Sequence, residues 1–150
     1  MLVYMSVSEI LPNLWIGNKD IIKESEFKKR NNICCVINCT TNLPFYGNQY
    51  KYRIPVNDDL TKTMNKLMFS YLNEATILIH KFLKQRKGVL VHCHAGIQRS
   101  ASVVAAYIMK YGNLNWNMTM DFIQSKRNIC FKPCTNFKLA LKVFENSISK

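Results

Sequence analysis

Short apolar runs predict the strands of this chain. Residues 33–38 and 89–92 are almost continuously apolar, as expected of strands buried on both faces. Residues 50–56 alternate between apolar and basic side chains, which predicts a half-buried strand. Residues 6–16 predict one or two further strands.

Helical spacing predicts the elements between and after these strands. A long helix is expected to stop before Gly88, with that glycine just past its C-terminus. Its apolar stripe consists of Met64, Leu67, Met68, Tyr71, Leu72, Ala75, Leu78 and Phe82. Residues 20–30 predict a short helix. Residues 100–111 are apolar nearly all round and predict a central, buried helix that ends at Gly112.

Two more helices are predicted towards the end of the chain. Asn115 or Asn117 is expected to cap a helix that reaches Lys126, and Thr135 to cap the last one. The apolar stripe of the last helix is Phe137, Ala140, Leu141, Phe144 and Ile148. Strands separated by helices predict an α/β fold, with a central mixed, mainly parallel sheet flanked by helices.

Length and composition fit one domain over residues 1–150. A chain of 150 residues with 48% hydrophobic content can bury a core of its own. No apolar run reaches the ~18 residues of a membrane span, and residues 1–5 lack the basic start of a secretion signal. We therefore expect a soluble, intracellular protein of the cytoplasm or nucleus, with no membrane partner.

The cysteines predict neither a disulfide framework nor a metal site. Without a secretion signal, structural disulfides are not expected, and the spacing does not match a zinc site. The six cysteines are Cys34, Cys35, Cys39, Cys93, Cys130 and Cys134. Cys39 is the best candidate for a reversible disulfide with Cys93, because its strand end should lie near that residue. No cofactor is expected.

The net charge of +12 bears on which classes of partner the protein could bind. A basic surface is either a solvated face or a means of attracting acidic, phosphorylated partners. No patch interleaves basic and aromatic residues, so a nucleic-acid partner is not expected. The sequence leaves a homodimer open.

The segment from His92 to Ser100 carries the clearest chemistry. Cys93 follows a strand, and Arg99 comes six residues later at the start of a helix. A helix N-terminus and a cation favour the thiolate form of a cysteine, which is the nucleophilic form. The loop N–H groups can form an anion nest, Gly96 allows a tight backbone path, and the Arg99 guanidinium can hold two phosphate oxygens.

This segment resembles the His-Cys-x5-Arg-Ser signature of the cysteine-dependent protein phosphatases. Its longer form, residues 91–102, resembles the dual-specificity branch. Other segments are similar to motifs of the same branch: Asn13-Leu14-Trp15-Ile16-Gly17-Asn18, Val36-Ile37-Asn38-Cys39-Thr40, Ile54-Pro55-Val56-Asn57-Asp58 and Phe137-Lys138-Leu139-Ala140-Leu141. The resemblance covers about residues 7–146 and implies a protein tyrosine phosphatase-like fold.

The resemblance implies a specific role for each of several residues in phosphate ester hydrolysis. Cys93 is the expected nucleophile, Asp58 the expected general acid and base, and Ser100 a donor that helps the thiolate leave. Arg99 binds phosphate together with the loop residues His94, Ala95, Gly96, Ile97 and Gln98. Asp59 is adjacent to Asp58 and is the alternative acid.

The expected substrates are proteins that carry phosphotyrosine, phosphoserine or phosphothreonine. The loop lacks the lysines that phosphoinositide enzymes of this superfamily tend to carry. Two alternatives stay open: an RNA 5′-phosphatase, and a phosphoprotein-binding module without turnover. The compact form resembles small viral members of the branch, and a viral source would add the virion as a location. One departure from the family pattern is Pro133-Cys134, where the family tends to have Pro-Asn before the last helix. The asparagine is displaced to Asn136, so we expect a loop-supporting hydrogen bond to be altered or supplied differently.

Overall fold

A five-stranded sheet forms the centre of the computed structural model, which describes residues 6–149. The strands are β1 (Val7–Leu11), β2 (Leu14–Gly17), β3 (Ile33–Asn38), β4 (Tyr50–Arg53) and β5 (Gly88–His92), in the order β1-β2-β5-β3-β4. β1 and β2 are antiparallel, and all other neighbours are parallel. The predicted mixed, mainly parallel sheet is confirmed. The described residues do not include Lys150 or residues 1–5, and the prediction about a secretion signal concerns that N-terminal segment.

The helices lie on both sides of this sheet. They are α1 (Ser25–Arg30), α2 (Lys62–Lys84), α3 (Arg99–Gly112), α4 (Trp116–Lys126) and α5 (Lys138–Ile148). The single helix predicted over residues 20–30 is wrong in detail. A 3-10 turn, Ile21–Lys23, and α1 replace it, because Glu24 between them has extended backbone angles. Among residues 6–149, no helix has the length and apolar character needed to cross a membrane.

Alternating side chains of β5 enter two different hydrophobic clusters. Val89 and Val91 belong to the larger core, which the helices α2 to α5 share. Leu90 points to the other face and joins a smaller cluster that includes Phe27 of α1. Because β5 is covered on both faces and lies between β2 and β3, its C-terminal end is fixed at the centre of the fold.

The two glycines predicted at helix ends differ in outcome. After α2 the left-handed residue is Arg86, with φ 58°, and Gly88 is the first residue of β5, so its assignment just past α2 is wrong. The predicted end of the buried helix at Gly112 is confirmed, because α3 runs from Arg99 to Gly112. Asn113, with φ 57°, is the left-handed residue that follows it.

Among the predicted helix caps, one is confirmed and one is wrong. The Asn115 side chain accepts a hydrogen bond from the Met118 N–H at the start of α4. Thr135 does not cap α5, which begins after Phe137 with no side-chain cap of its own. Asn65 of α2 supplies the missing acceptor, because its Oδ1 lies 3.0 Å from the Ala140 nitrogen. The strand predicted over residues 50–56 ends early, at Arg53.

His92, the last residue of β5, is fully buried. His92 lines a small cavity together with Lys28 and Tyr46, and its Nε2 has no hydrogen-bond partner among residues 6–149. Burial lowers the pKa of His92 from 6.5 to about 4, and its hydrogen bond to the Cys93 carbonyl only partly opposes this shift. The imidazole is therefore neutral at physiological pH.

Replacing Gly88 with alanine should destabilise the protein. The new Cβ would lie 2.7 Å from the Asn31 carbonyl oxygen and 3.0 Å from that of Asn32. We expect Gly88→Ala to lower the free energy of unfolding by about 1–3 kcal/mol, as overpacking does, in urea or thermal unfolding. Gly112→Ala is the matched control, since its Cβ would meet nothing closer than 3.6 Å. Equal effects of the two substitutions would contradict this reading.

Protonation of His92 should couple stability to pH. The unfolded state binds a proton near pH 6.5 and the folded state only near pH 4. Stability is therefore complete above pH 6.5 and falls by up to about 3 kcal/mol as the pH drops towards 4. An NMR titration of the histidine side chains should show one ring with a midpoint near pH 4. If every ring titrates near pH 6.5, the burial effect is absent.

Candidate active site

The predicted loop lies between β5 and α3, at the carboxyl edge of the sheet. Cys93 follows β5 directly and is 2% exposed. Its Sγ lies 3.2 Å from the Ser100 Oγ and 3.3 Å from the Gly96 nitrogen. Both groups can donate hydrogen bonds to a thiolate, so the loop is built to hold a negatively charged sulfur.

Donors outside the loop hold its carbonyl groups outwards. The His94 carbonyl accepts from the Lys19 N–H at 3.0 Å, and the Ile97 carbonyl from the Phe131 N–H at 3.0 Å. The guanidinium of Arg127 donates to the two carbonyls between them, those of Ala95 at 3.4 Å and Gly96 at 2.8 Å. In a planar trans peptide the N–H points opposite to the C=O. The N–H groups of residues 95–98 therefore turn inwards, an arrangement that suits an anion nest.

Gly96 permits this arrangement in two ways. Its φ of +68° is in the left-handed region that glycine adopts without strain. A Cβ at this position would also lie 2.8 Å from the Gly17 carbonyl oxygen and 2.9 Å from Arg127 Nη2. A larger residue would push the loop away from the groups that hold it.

Arg99 begins α3 and is 7% exposed. Its Nη1 donates to the Val56 carbonyl at 3.1 Å, which ties the guanidinium to the segment that carries Asp58. Its Nε is buried and has no hydrogen-bond partner among residues 6–149. A buried donor without a partner is costly, and a bound phosphate oxygen would satisfy it.

The two neighbouring aspartates have different surroundings. The Asp59 Oδ1 accepts from the Thr61 hydroxyl at 2.6 Å and the Thr61 N–H at 3.0 Å, so it braces the start of α2. Asp58 is exposed, and its Oδ1 accepts from the Asn136 side chain at 2.7 Å. Asp58 is thus the carboxylate free to face a ligand.

Two of the predicted phosphate-binding residues direct their side chains to other partners. The Gln98 side chain donates to the Cys134 carbonyl at 2.6 Å, and its Oε1 accepts from the Asn136 N–H at 3.0 Å. The His94 ring lies at the rim, 3.4 Å from the Asn42 Oδ1. Burial, and then the positive charge of Arg99, lower the pKa of His94. The loop therefore presents backbone N–H groups to an anion, with Arg99 as its cationic side chain.

Sequence reasoning missed Arg127, and it found Asn136 only as a displaced asparagine, without its contact to Asp58. The pair Lys126-Arg127 looks like surface charge, yet Arg127 is only 4% exposed. Its guanidinium also donates to the Ser8 hydroxyl at 3.0 Å, and burial lowers its pKa. Neither residue belongs to a local motif, because their contacts with the site span 31 and 78 residues of chain.

The surroundings of Cys39 and of the other potential metal ligands bear on two further predictions. Burial, and then the nearby Cys93, raise the pKa of Cys39 well above its ordinary value. Cys39 is thus a buried thiol near Cys93, and their reversible disulfide stays a prediction. Within residues 6–149, no group of three or more His, Cys, Asp or Glu side chains is placed to hold a metal ion.

The sequence and the fold have counterparts among known proteins. A family model described as the dual specificity phosphatase catalytic domain matches residues 14–147. Putative tyrosine phosphatase 123R of Invertebrate iridescent virus 6 is 34% identical over 143 residues, across 94% of this chain and 93% of the viral protein. Human dual specificity protein phosphatase 9 is 33% identical over 144 residues, across 93% of this chain. This chain spans only about a third of the length of its human relatives, 36% for phosphatase 9 and 33% for phosphatase 7.

Solved structures show the same architecture. Human DUSP28 superposes with a TM-score of 0.86 at 20% identity, over 96% of this chain and 95% of its own. DUSP15 superposes with a TM-score of 0.83 at 29% identity, over 94% of this chain and 88% of its own. With a family model that covers most of its length, this chain belongs to the dual specificity phosphatase family.

Proposed function

We propose that this protein is a dual-specificity protein phosphatase, which hydrolyses phosphotyrosine and phosphoserine or phosphothreonine through a cysteinyl-phosphate. The observation that carries the proposal is the position of the Cys93 sulfur. It lies within hydrogen-bond distance of the Ser100 Oγ and the Gly96 nitrogen, in a loop whose N–H groups turn inwards. Family membership supports the same reaction class.

The first step transfers the phosphoryl group to sulfur. The Cys93 thiolate attacks phosphorus in line, the S–P bond forms and the P–O bond to the substrate breaks. Arg99 and the inward N–H groups stabilise the three non-bridging oxygens as charge redistributes. The leaving oxygen takes a proton from Asp58, which becomes a carboxylate.

The second step releases phosphate. Asp58, now a carboxylate, takes a proton from a water molecule whose oxygen attacks phosphorus. The P–O bond forms, the S–P bond breaks, and its electron pair returns to the Cys93 sulfur. The Ser100 hydroxyl, 3.2 Å from that sulfur, donates to the departing thiolate and lowers the barrier. Free enzyme and inorganic phosphate result.

Phosphorylated proteins are the proposed substrates, encountered in the cytoplasm or nucleus. Ala95, Ile97 and Gln98 carry no charge, so the loop offers no additional cation to a polyphosphorylated headgroup. The net charge of +12 favours approach of acidic, phosphorylated segments. Asp58 is exposed at the site, where it is accessible to both alkyl and aryl esters.

Substitution of Asp58 and substitution of Asp59 should have different effects on activity and stability. Asp58→Asn is expected to lower kcat about 10²- to 10⁴-fold, the range for loss of a general acid or base, with no change in the thermal midpoint. Asp59→Asn should keep most activity and lower the midpoint, because Asp59 braces the start of α2. Steady-state kinetics and thermal unfolding decide between them, and the reverse pattern would assign the acid to Asp59.

A substrate panel tests the proposed class. Wild type should release phosphate from phosphotyrosine and phosphothreonine peptides much faster than from a phosphoinositide or triphosphorylated RNA. Cys93→Ser should release none from any of them, because serine is a far poorer nucleophile than a thiolate. Faster release from RNA would indicate an RNA 5′-phosphatase. A wild type without turnover, beside a Cys93→Ser protein that binds phosphopeptides, would indicate a binding module.

A further inference from the structure

Every polar group of Asn136, in its backbone and in its side chain, makes a hydrogen bond. These hydrogen bonds join three parts of the molecule. Its N–H donates to the Gln98 Oε1 at 3.0 Å, and its carbonyl accepts from the Asn65 side chain at 3.3 Å. Its Oδ1 accepts from the Cys134 thiol at 3.5 Å. Its Nδ2 donates to the Asp58 Oδ1 at 2.7 Å. Asn136 therefore connects the phosphate loop, α2 and the proposed general acid.

Asp58 has no comparable support of its own. Its side chain is exposed, and among residues 6–149 the contact with Asn136 is the one hydrogen bond that it makes. An exposed carboxylate would otherwise sample several rotamers, and ordering it costs conformational entropy. The hydrogen bond from Asn136 fixes its direction before substrate arrives.

We propose that Asn136 is the positioning residue for the general acid, and that it decides which oxygen of Asp58 carries the transferred proton. This inference rests on the phosphatase function proposed above. An amide NH₂ group can only donate. The Oδ1 that faces it must therefore act as an acceptor, and the proton of a protonated Asp58 is kept on Oδ2. Asn136 acts through Asp58 and does not itself contact the substrate.

The same residue sets the distance between acid and nucleophile. Gln98 is 4% exposed and lies in the loop that begins at Cys93, and its side chain holds both the Cys134 carbonyl and the Asn136 N–H. Asn65, also 4% exposed, holds the Asn136 carbonyl from α2. Because these anchors belong to the loop and to the core, Asp58 is placed relative to Cys93 by a short chain of hydrogen bonds.

This arrangement accounts for the departure noted at Pro133-Cys134. Cys134 contributes its backbone carbonyl to Gln98, which any residue could do. The side-chain amide is supplied two residues later, by Asn136. The chain thus has the amide at a different position in the same segment.

Leaving-group dependence tests the proposal. General acid assistance matters most when the departing phenolate is basic, so kcat/KM should be compared for phenyl phosphate and dinitrophenyl phosphate. Asn136→Ala should lower kcat/KM for phenyl phosphate about tenfold, as expected for the loss of one hydrogen bond to a charged group. For dinitrophenyl phosphate it should change less than about twofold. A merely structural role would lower both values equally, and that result would overturn the proposal.

A double variant and two controls complete the experiment. Adding Asn136→Ala to Asp58→Asn should cause no further loss, and additive losses would contradict the coupling. Asn136→Leu, which also removes the donor but keeps more side-chain volume, should give the same leaving-group pattern even if Asn136→Ala lowers stability. Thr135→Ala is the matched control and should have no effect, since the Thr135 side chain makes no hydrogen bond within residues 6–149.

The same data separate this inference from the proposed function. If wild type hydrolyses neither aryl phosphate, the phosphatase function itself fails. If wild type is active and Asp58→Asn is impaired on phenyl phosphate, but both Asn136 variants match wild type, the function stands and the role of Asn136 is refuted.

Discussion

The active site depends on the outward direction of a few backbone carbonyls. Several N–H groups that converge on one point repel each other, because each carries a partial positive charge. The loop after Cys93 resists this repulsion because Lys19, Phe131 and Arg127 hold its carbonyls from outside. Each such hydrogen bond contributes about 1 kcal/mol, and more where the donor is charged. The inward direction of the N–H groups therefore needs no bound anion to maintain it.

The fold supplies the rigid frame for these contacts. β5 is buried on both faces, so Cys93 at its end can move little. α3 begins at Arg99 and is buried almost to its last turn, which aims its N-terminus at the same point. Strand, loop and helix thus form one stiff unit, and the more exposed Asp58 is brought to it by a separate segment.

Local patterns predicted the structural features whose residues are close in sequence. The loop from Cys93 to Ser100, the buried helix after it and the Asn115 cap all depend on residues only a few positions apart. Residues that act across long stretches of chain could not be found in this way. Asn65 replaces the expected Thr135 cap from a different helix. Nothing local in the sequence shows that Arg127 is buried, because the pair Lys126-Arg127 resembles surface charge.

The contacts of Arg127 also set an order of assembly. Its guanidinium joins the Gly96 carbonyl to the Ser8 hydroxyl, a residue 119 positions earlier in the chain. During synthesis the segment with Cys93 leaves the ribosome well before Arg127, so the nascent loop lacks the cation that orients it. The final loop geometry should therefore form late, once α4 has docked against β1. An incomplete chain would thereby carry Cys93 without the contacts that orient its loop.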